Sequence, residues 1–448
     1  MVKKFELFVI GGGSGGVRAA RYAAANGIKT GIAEGWSLGG TCVNRGCIPK
    51  KLYTYASNFS EEMELMQSFG WKLKNKSFSW KRLVLNKKKE IKRLNNIYLN
   101  LLSNSNVKIF SDFAEFVDNK ILKVGNDLIQ AESYLIAVGT KPKNLGLCKE
   151  NKLISSDEAF DIEDLPENIL ILGGGYIAIE FASIFKGLGV DVTVCIRGNR
   201  ILKDFDSEVS DFLSQELKEK GIKILNNDFP KEIIYSKNKY KVFFKKNTKI
   251  YQKVLEATGR IPNIDKLKIH NTKVRTARNE SIIINDYFQT SQKNIFAVGD
   301  VVDRVQLTPV AISEAMTVID NLKSKKKKKF NYHNIPTAVF SYPNYAFVGF
   351  SEHEAKKKFT QVEVFKSIFT PLKYSMSKIK SKVFIKLIVS GKQQRIRGIH
   401  YIGENAAEII QGFSVAAVNG LTKKQLDRTL GIHPTSAEEI VTLKNKQY

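Results

Sequence analysis

Cys42 and Cys47 lie in the segment Gly39-Gly40-Thr41-Cys42-Val43-Asn44-Arg45-Gly46-Cys47-Ile48-Pro49-Lys50-Lys51, with four residues between them. Two thiols this close in sequence either hold a metal or exchange electrons by making and breaking a disulfide. The tight metal spacing of two intervening residues is absent, and no histidine lies nearby. On a regular helix, positions five apart sit about 140° around the axis from each other. A bond between these two sulfurs therefore needs a locally distorted turn, for which Gly46 and Pro49 are suited. A small or strained disulfide is easier to reduce than a structural one. Lys50 favours the thiolate form of a reduced cysteine beside it. The other cysteines, Cys148 and Cys195, are isolated and read as small packed residues, and four are too few for a structural disulfide framework in 448 residues.

The elements that must position such a pair begin upstream. Phe5–Ile10 is a short apolar run that predicts a buried parallel strand. Gly11-Gly12-Gly13-Ser14-Gly15-Gly16 follows, then an Ala-rich helix from Val17 to about Asn26, then a strand Lys29–Ala33 ending in Glu34. The plan recurs: strand Ile169–Leu172, turn Gly173-Gly174-Gly175-Tyr176-Ile177-Ala178, helix Ile179–Leu188, strand Val190–Ile196, this time ending in Arg197. One such fingerprint is a weak signal; two, each with its flanking strand and helix, predict two bound dinucleotides. Gly11, Gly13 and Gly16 in the first copy, and Gly173, Gly175 and Ala178 in the second, let the backbone approach a pyrophosphate seated at a helix N-terminus. The strand ends differ in charge. Glu34 can accept hydrogen bonds from a ribose diol but would repel a 2′-phosphate, whereas Arg197, with Arg200 and Lys203 close behind, would bind one. The first site is therefore predicted to take FAD and the second NADPH.

The Gly39–Lys51 segment resembles the redox-active segment of the FAD-dependent pyridine nucleotide disulfide oxidoreductases, and is most similar to that of the glutathione reductases among them. Further motifs of that family appear in the family's order, so the resemblance covers essentially the whole chain. Phe296-Ala297-Val298-Gly299-Asp300 is similar to the segment whose Asp holds the FAD ribityl chain. Ala257-Thr258-Gly259-Arg260, with Pro262 and Asn263, is similar to the boundary where the chain returns from the nucleotide domain to the FAD domain. His433-Pro434-Thr435-Ser436-Ala437-Glu438-Glu439 is similar to the C-terminal catalytic motif. The resemblance implies that Cys47 lies against the flavin and that Cys42 attacks the substrate disulfide. It also implies that His433, oriented by Glu438, is an acid–base group contributed by the partner subunit of a homodimer. Lys50 and Glu180 would pair beside the hydride-accepting flavin nitrogen, Tyr176 would gate the nicotinamide pocket, and Ser14 and Thr41 would join Gly259, Arg260 and Asp300 around the cofactors. Ser14, Arg21 and Tyr98 fall where glutathione disulfide is bound. Met316 and Glu90 depart from the pattern, standing where many members have an Arg and a Tyr. Reduction of another low-molecular-weight disulfide is thus the alternative within the same reaction class.

The implied fold is α/β: two Rossmann-like dinucleotide-binding domains and a C-terminal α+β interface domain. Residues 1–140 would form the first part of the FAD domain, 141–261 the NADPH domain, 262–330 a central segment completing the FAD domain, and 331–448 the interface domain. A polar, basic helical stretch is expected between Met63 and Leu102. The C-terminal third shows strand-like runs at Ala338–Phe340, Tyr345–Phe350 and Phe384–Val389, and helix around Ala406–Asn419. Seventy-one Lys and Arg against 44 Asp and Glu give a formal charge of +27, with runs at Lys87–Lys89, Lys325–Lys329 and Lys356–Lys358. Such a balance suits nucleic acid, a membrane surface or the steering of anionic substrates. The basic residues spread along most of the chain, and no basic motif is interleaved with aromatics as single-strand binding would require. A Lys-rich composition spread over solvated surfaces, with anion steering as a side benefit, is expected, and a basic nucleic-acid-binding flavoprotein is the alternative from another class. No apolar run approaches the roughly 18 residues a membrane helix needs, and no secretory leader precedes the first strand. A cytoplasmic location is the expectation.

Overall fold

The computed structural model describes residues 2–72, 74, 77–444 and 446–447. They fall into two units: residues 2–50, 82–143 and 259–332 form the first, and the described residues of 51–81, 144–258 and 333–447 form the second. Both are built from parallel strands joined through helices, as the alternating strand and helix patterns predict.

In the first unit, strand β1 (Val2–Ile10) leads through the glycine turn to helix α1 (Ser14–Ala25) and strand β2 (Thr30–Ala33). β1 lies centrally, parallel to β2 on one side and to Asp127–Ile136 on the other, with Ile10 opposite both Ala33 and Ile136. Lys108–Phe110 extends the sheet beyond β2, and Ile295–Ala297 pairs with the end of Asp127–Ile136. β1 begins earlier than its apolar run because Val2–Phe5 also pair with the facing strand, through Leu128–Ala131. Leu7, Phe8, Val9 and Ile10 are fully or almost fully buried, as a strand covered on both faces requires. On one face Val17, Ala19, Ala20 and Ala23 of α1 pack with Leu7, Val9 and Ile32. Their small side chains let the helix sit close to the sheet. α1 begins at Ser14, ahead of the expected Val17: glycines are tolerated in a first turn whose N–H groups have no helical partner anyway.

The expected basic helical stretch is two helices, α3 (Cys47–Ser68) and α4 (Trp80–Ser103). Gly70, at φ +88°, ends the first in a left-handed turn. The described residues of 51–81 group with the second unit, where Tyr53 packs edge-on against Trp80 and Phe160. The Tyr53 hydroxyl donates to the Phe160 carbonyl, and the Trp80 indole to that of Ile162.

The second unit contains a five-stranded parallel sheet in the order Lys223–Asn226, Asp191–Ile196, Asn168–Leu172, Lys253–Glu256, Ile154–Ser155. Helix α5 (Tyr176–Gly187) follows the central strand, and α6 (Ser207–Glu219) is capped by the Asp206 side chain on the Val209 N–H. Its C-terminal part is an antiparallel sheet in which Arg395–Gly403 lies between Asn344–Gly349 and Val383–Ser390. Helix Ala406–Val418 packs on that sheet through Ala406, Ile410 and Ala417. This is the α+β module expected of the C-terminal third.

Candidate active site

The break between the two helices that carry the thiols falls at Gly46. Helix α2 (Gly40–Arg45) ends there and α3 starts at Cys47. A Cβ on Gly46 would come within 2.8 Å of the Thr41 carbonyl oxygen, so only glycine lets the backbone turn this tightly. The distorted turn expected from Gly46 is thus in place, and Pro49 sits in the first turn of α3, where its missing N–H costs no helical bond. Asn44 anchors α2: its amide donates to the carbonyls of Gly40 (2.8 Å) and Leu38 (3.2 Å). Asn95 of α4 donates in turn to Leu38 (2.8 Å) and to the Asn44 side-chain oxygen (2.9 Å).

Cys42 is half-buried, and Cys47 is exposed as a residue although its sulfur is largely covered; both are free thiols joined by a hydrogen bond. That bond from Cys47 is the largest influence on Cys42. It outweighs burial and, with bonds from Thr308 and Ser14 and the charge of Lys50, brings the Cys42 thiol down to about 6. The same bond, together with burial of the sulfur and the charge on Cys42, pushes Cys47 far up. At neutral pH the reduced pair therefore holds one thiolate, on Cys42, and one thiol. Thr308, whose hydroxyl lies 3.9 Å from the Cys47 sulfur, opens helix α7 (Thr308–Lys323). No motif identified it; only Pro309, suited to a first helical turn, hinted that a helix end falls there.

Beside the thiols lies the first glycine cradle. A Cβ on Gly16 would stand 1.8 Å from the Gly11 carbonyl oxygen, and one on Gly40 2.6 Å from the Gly13 Cα. The glycines of the turn thus leave the backbone bare toward an approaching pyrophosphate. Glu34 accepts from the Gly12 N–H and the Trp36 N–H, both at 2.7 Å. Each carboxylate oxygen has a second lone pair, so capacity for a ribose diol remains. Burial raises the Asp300 carboxyl above its ordinary range, against the opposing pull of Arg260 and of Thr140, whose hydroxyl is 3.5 Å away. A buried carboxylate this thinly satisfied suits the hydroxyls of a ribityl chain, so these residues fit FAD. Arg260 donates to the Thr140 hydroxyl (2.9 Å) and carbonyl (2.7 Å) across the antiparallel pair Thr140–Pro142 and Arg260–Pro262. Gly259 stands one residue before it, its carbonyl accepting from the Lys143 N–H. Thr140 and Glu314 were not singled out by motif. Glu314, 1% exposed, accepts from the Gly299 N–H at 2.7 Å and from the Tyr332 hydroxyl, holding the turn that carries Asp300.

The expected substrate residues share this neighbourhood. Burial, and then the charge of Cys42, raise the Tyr98 hydroxyl, while Arg18 and Arg21 pull it down, so all four lie within electrostatic reach. The Arg21 Nε is buried with no hydrogen-bond partner among the described residues. Met316 is half-buried in α7. Glu90 is held by Arg93 in a two-bond pair at 2.7 and 2.8 Å.

The second unit carries the remaining predicted residues. Gly173, at φ +122°, would place a Cβ 2.2 Å from the Ala257 carbonyl oxygen, as Gly11 would against Ala137 at 2.5 Å. The two cradles are therefore built alike, with Gly175 capping α5 and Ala178 fully buried in its first turn. Arg197 is exposed and lies over the Phe229 ring at 4.7 Å. Arg200 is bound through two hydrogen bonds, each 2.8 Å, to Asp211, and the exposed Lys203 stands 3.9 Å from Asp204, so Arg197 supplies most of the available positive charge. Tyr176, 40% exposed, opens α5, and buried Glu180 accepts from the Phe340 N–H at 2.9 Å. His433 presents its ring to solvent while its Nδ1 lies 3.0 Å from Glu438 Oε1, the orientation expected of an acid–base pair. The chain thus divides the predicted site: thiols, FAD cradle and substrate residues in the first unit, the NADPH cradle and His433 in the second.

Residues 5–315 match the family model described as pyridine nucleotide-disulphide oxidoreductase, and residues 335–444 match the dimerisation domain of the same family. The chain is 42% identical to a glutathione reductase of Burkholderia cepacia over 444 residues, covering 99% of each chain. It is 39% identical to a glutathione reductase of Nostoc sp., covering 99% of this chain and all of the relative. With the chloroplastic/mitochondrial glutathione reductase of Pisum sativum it shares 40% identity, over 98% of this chain and 82% of the other.

Proposed function

Because the chain belongs to the pyridine nucleotide-disulphide oxidoreductases, we propose that it reduces glutathione disulfide to glutathione with NADPH, through FAD and the Cys42/Cys47 pair. The observation that carries this reading is the unequal thiol pair beside the Gly11–Gly16 cradle: Cys42 is held as thiolate by its bond from Cys47 and by Lys50. Full-length relatives named as glutathione reductases supply the substrate.

Gly11, Gly13, Ser14, Gly16, Glu34, Thr41 and Asp300 would hold FAD, and Gly173, Gly175, Ala178, Arg197 and Lys203 would hold NADPH. When bound, FAD accepts a hydride from NADPH and supplies its electron pair to a disulfide. Lys50 and Glu180 would pair where the hydride arrives, with Tyr176 over the nicotinamide. Reduction of the Cys42–Cys47 bond leaves a thiolate on Cys42 and a thiol on Cys47. The Cys42 thiolate attacks one sulfur of glutathione disulfide, forming a mixed disulfide and expelling one glutathione thiolate, which His433 protonates. Cys47 then gives its proton to His433 and attacks the Cys42 sulfur; the protein disulfide re-forms, and the second glutathione leaves as a thiolate that takes that proton from His433. Arg21 would take a substrate carboxylate through its guanidinium, and Ser14 and Tyr98 would flank the disulfide.

Residues 1–140, 141–261, 262–330 and 331–448 are read as the FAD part, the NADPH domain, the central segment and the interface domain. His433 would reach the thiols of the partner subunit, which makes the homodimer the active form. No helix among the described residues is long and apolar enough to cross a membrane. With only four cysteines, two of them the redox pair, we place the protein in the reducing cytoplasm. The reading is tested by NADPH oxidation with glutathione disulfide, beside NADH, lipoamide and thioredoxin controls. Turnover with the first pair alone supports it; flavin reduction with turnover only on another small disulfide would replace the substrate. Arg197→Glu should raise the KM for NADPH at least about tenfold more than that for NADH, the equivalent of one charge-assisted hydrogen bond; an unchanged ratio contradicts the 2′-phosphate role.

A further inference from the structure

The second unit holds a cavity of about 1070 Å3 that the reductase chemistry does not use. It opens at the C-terminal end of α5, where Lys186 and Gly187 line it. The NADPH cradle sits at the opposite end of that helix, roughly 16 Å away at 1.5 Å per residue. The other walls come from α3, from the end of α6 and from residues 370–382, which join strands Val362–Phe369 and Val383–Ser390. An antiparallel pair needs only about two to five residues to turn, and a far longer connection usually carries a function.

Charge and composition point to the occupant. Lys186, Lys220, Lys378, Lys380 and Lys382 line the cavity, against Glu61, Glu64 and Glu219. Lys220 is neutralised by Glu61 and lies over the Tyr342 ring at 4.5 Å. The other four lysines have no ion-pair partner among the described residues. Lys378, Lys380 and Lys382 alternate along one short segment, an arrangement that gathers three ammonium groups on one wall. No arginine lines the cavity among the described residues. Lysine binds phosphate as a point charge, whereas planar carboxylates favour the arginine fork. Hydroxyl side chains such as Ser60, Thr370 and Ser381 fill much of the remaining wall, and the aliphatic lining is limited to Ile222 and Ile379. Tyr342 and Tyr374 add ring surface to the lining, and a polyol would find hydrogen-bonding partners among the hydroxyls.

We propose that this cavity binds a small hydroxylated molecule carrying two or more phosphate groups. The cavity shares no lining residue with either dinucleotide cradle, and the proposal does not depend on the reductase reading.

The test is calorimetric titration of the FAD-loaded protein, saturated with NADP+ to block the second cradle, using fructose 1,6-bisphosphate and inorganic phosphate as probes. The expected result is one bisphosphate per chain, bound at least tenfold more tightly than inorganic phosphate. The triple variant Lys378→Ala/Lys380→Ala/Lys382→Ala should lose at least tenfold in affinity with unchanged NADPH oxidation. Lys186→Ala, on a different wall, should weaken binding independently. Lys325→Ala/Lys326→Ala/Lys327→Ala, in a basic run outside the cavity, should leave affinity unchanged. Absence of saturable binding at millimolar probe, or an equal loss in the Lys325–Lys327 variant, would overturn the proposal.

Discussion

Two chemically identical thiols are made unequal by what surrounds each sulfur. The bond from Cys47 and the charge of Lys50 lower Cys42, while the same bond raises Cys47. Because only a thiolate alkylates, the NADPH-reduced protein should react with iodoacetamide at Cys42, half-maximally near pH 6 and not near the value of about 8.5 of a free cysteine. Cys47→Ala removes the largest cause and should move that midpoint upward; peptide mapping that finds Cys47 labelled first would contradict the assignment. His433→Gln should lower turnover with glutathione disulfide by about 10²–10⁴-fold, the usual worth of a positioned acid–base group, and leave flavin reduction by NADPH unchanged. A smaller loss in Glu438→Gln would fit an orienting role, since its carboxylate holds the His433 ring at 3.0 Å. The cysteines and His433 were legible because their types and neighbours announce chemistry. Thr308, Thr140 and Glu314 were not, since each acts through a contact made by residues far away in sequence.

At the scale of elements, the two nucleotide folds were readable because glycine, small residues and strand-end charge occur at fixed offsets. Their packing explains why the offsets are strict. Gly16 faces the Gly11 carbonyl oxygen so closely that any Cβ must displace the turn. Gly16→Ala should therefore weaken FAD binding by about 10–100-fold, the equivalent of about 1–3 kcal/mol of overpacking. The flavin-to-protein absorbance ratio after dialysis measures this, and full FAD retention would refute it. Boundaries were less legible. Glycines concealed the first turn of α1, and the polar stretch before Leu102 hid the Gly70 turn that splits it into α3 and α4.

At the scale of the molecule, buried charge holds part of the second unit together. Lys386, 1% exposed, binds Asp206 at 2.9 Å, Glu208 at 2.9 Å and Glu352 at 2.7 Å. Burial alone would raise the Asp206 carboxyl, but its neighbours, His400 first and then the Glu352 N–H and Lys386, outweigh that and hold it below its ordinary range. Its contribution to stability is thus complete above the unfolded value of about 3.9 and is lost as pH falls through the lower folded one. Lys386→Met should destabilise the protein by about 3–5 kcal/mol by leaving Asp206 buried and uncompensated, seen as a melting point several degrees lower at pH 7; an unchanged melting point would show the cluster to be dispensable. Nothing in the local sequence reveals this cluster, because its members are brought together only by the tertiary fold. The excess of basic residues was legible as composition alone. The central claim is that one hydride from NADPH becomes two thiols through Cys42 and Cys47. Counting glutathione thiols released per NADPH oxidised, without oxygen, tests it most directly. The account predicts two thiols per NADPH in the wild type and none in Cys42→Ser, whose flavin NADPH should still reduce. NADPH oxidation without thiol release, or thiol release by Cys42→Ser at the wild-type rate, would contradict it.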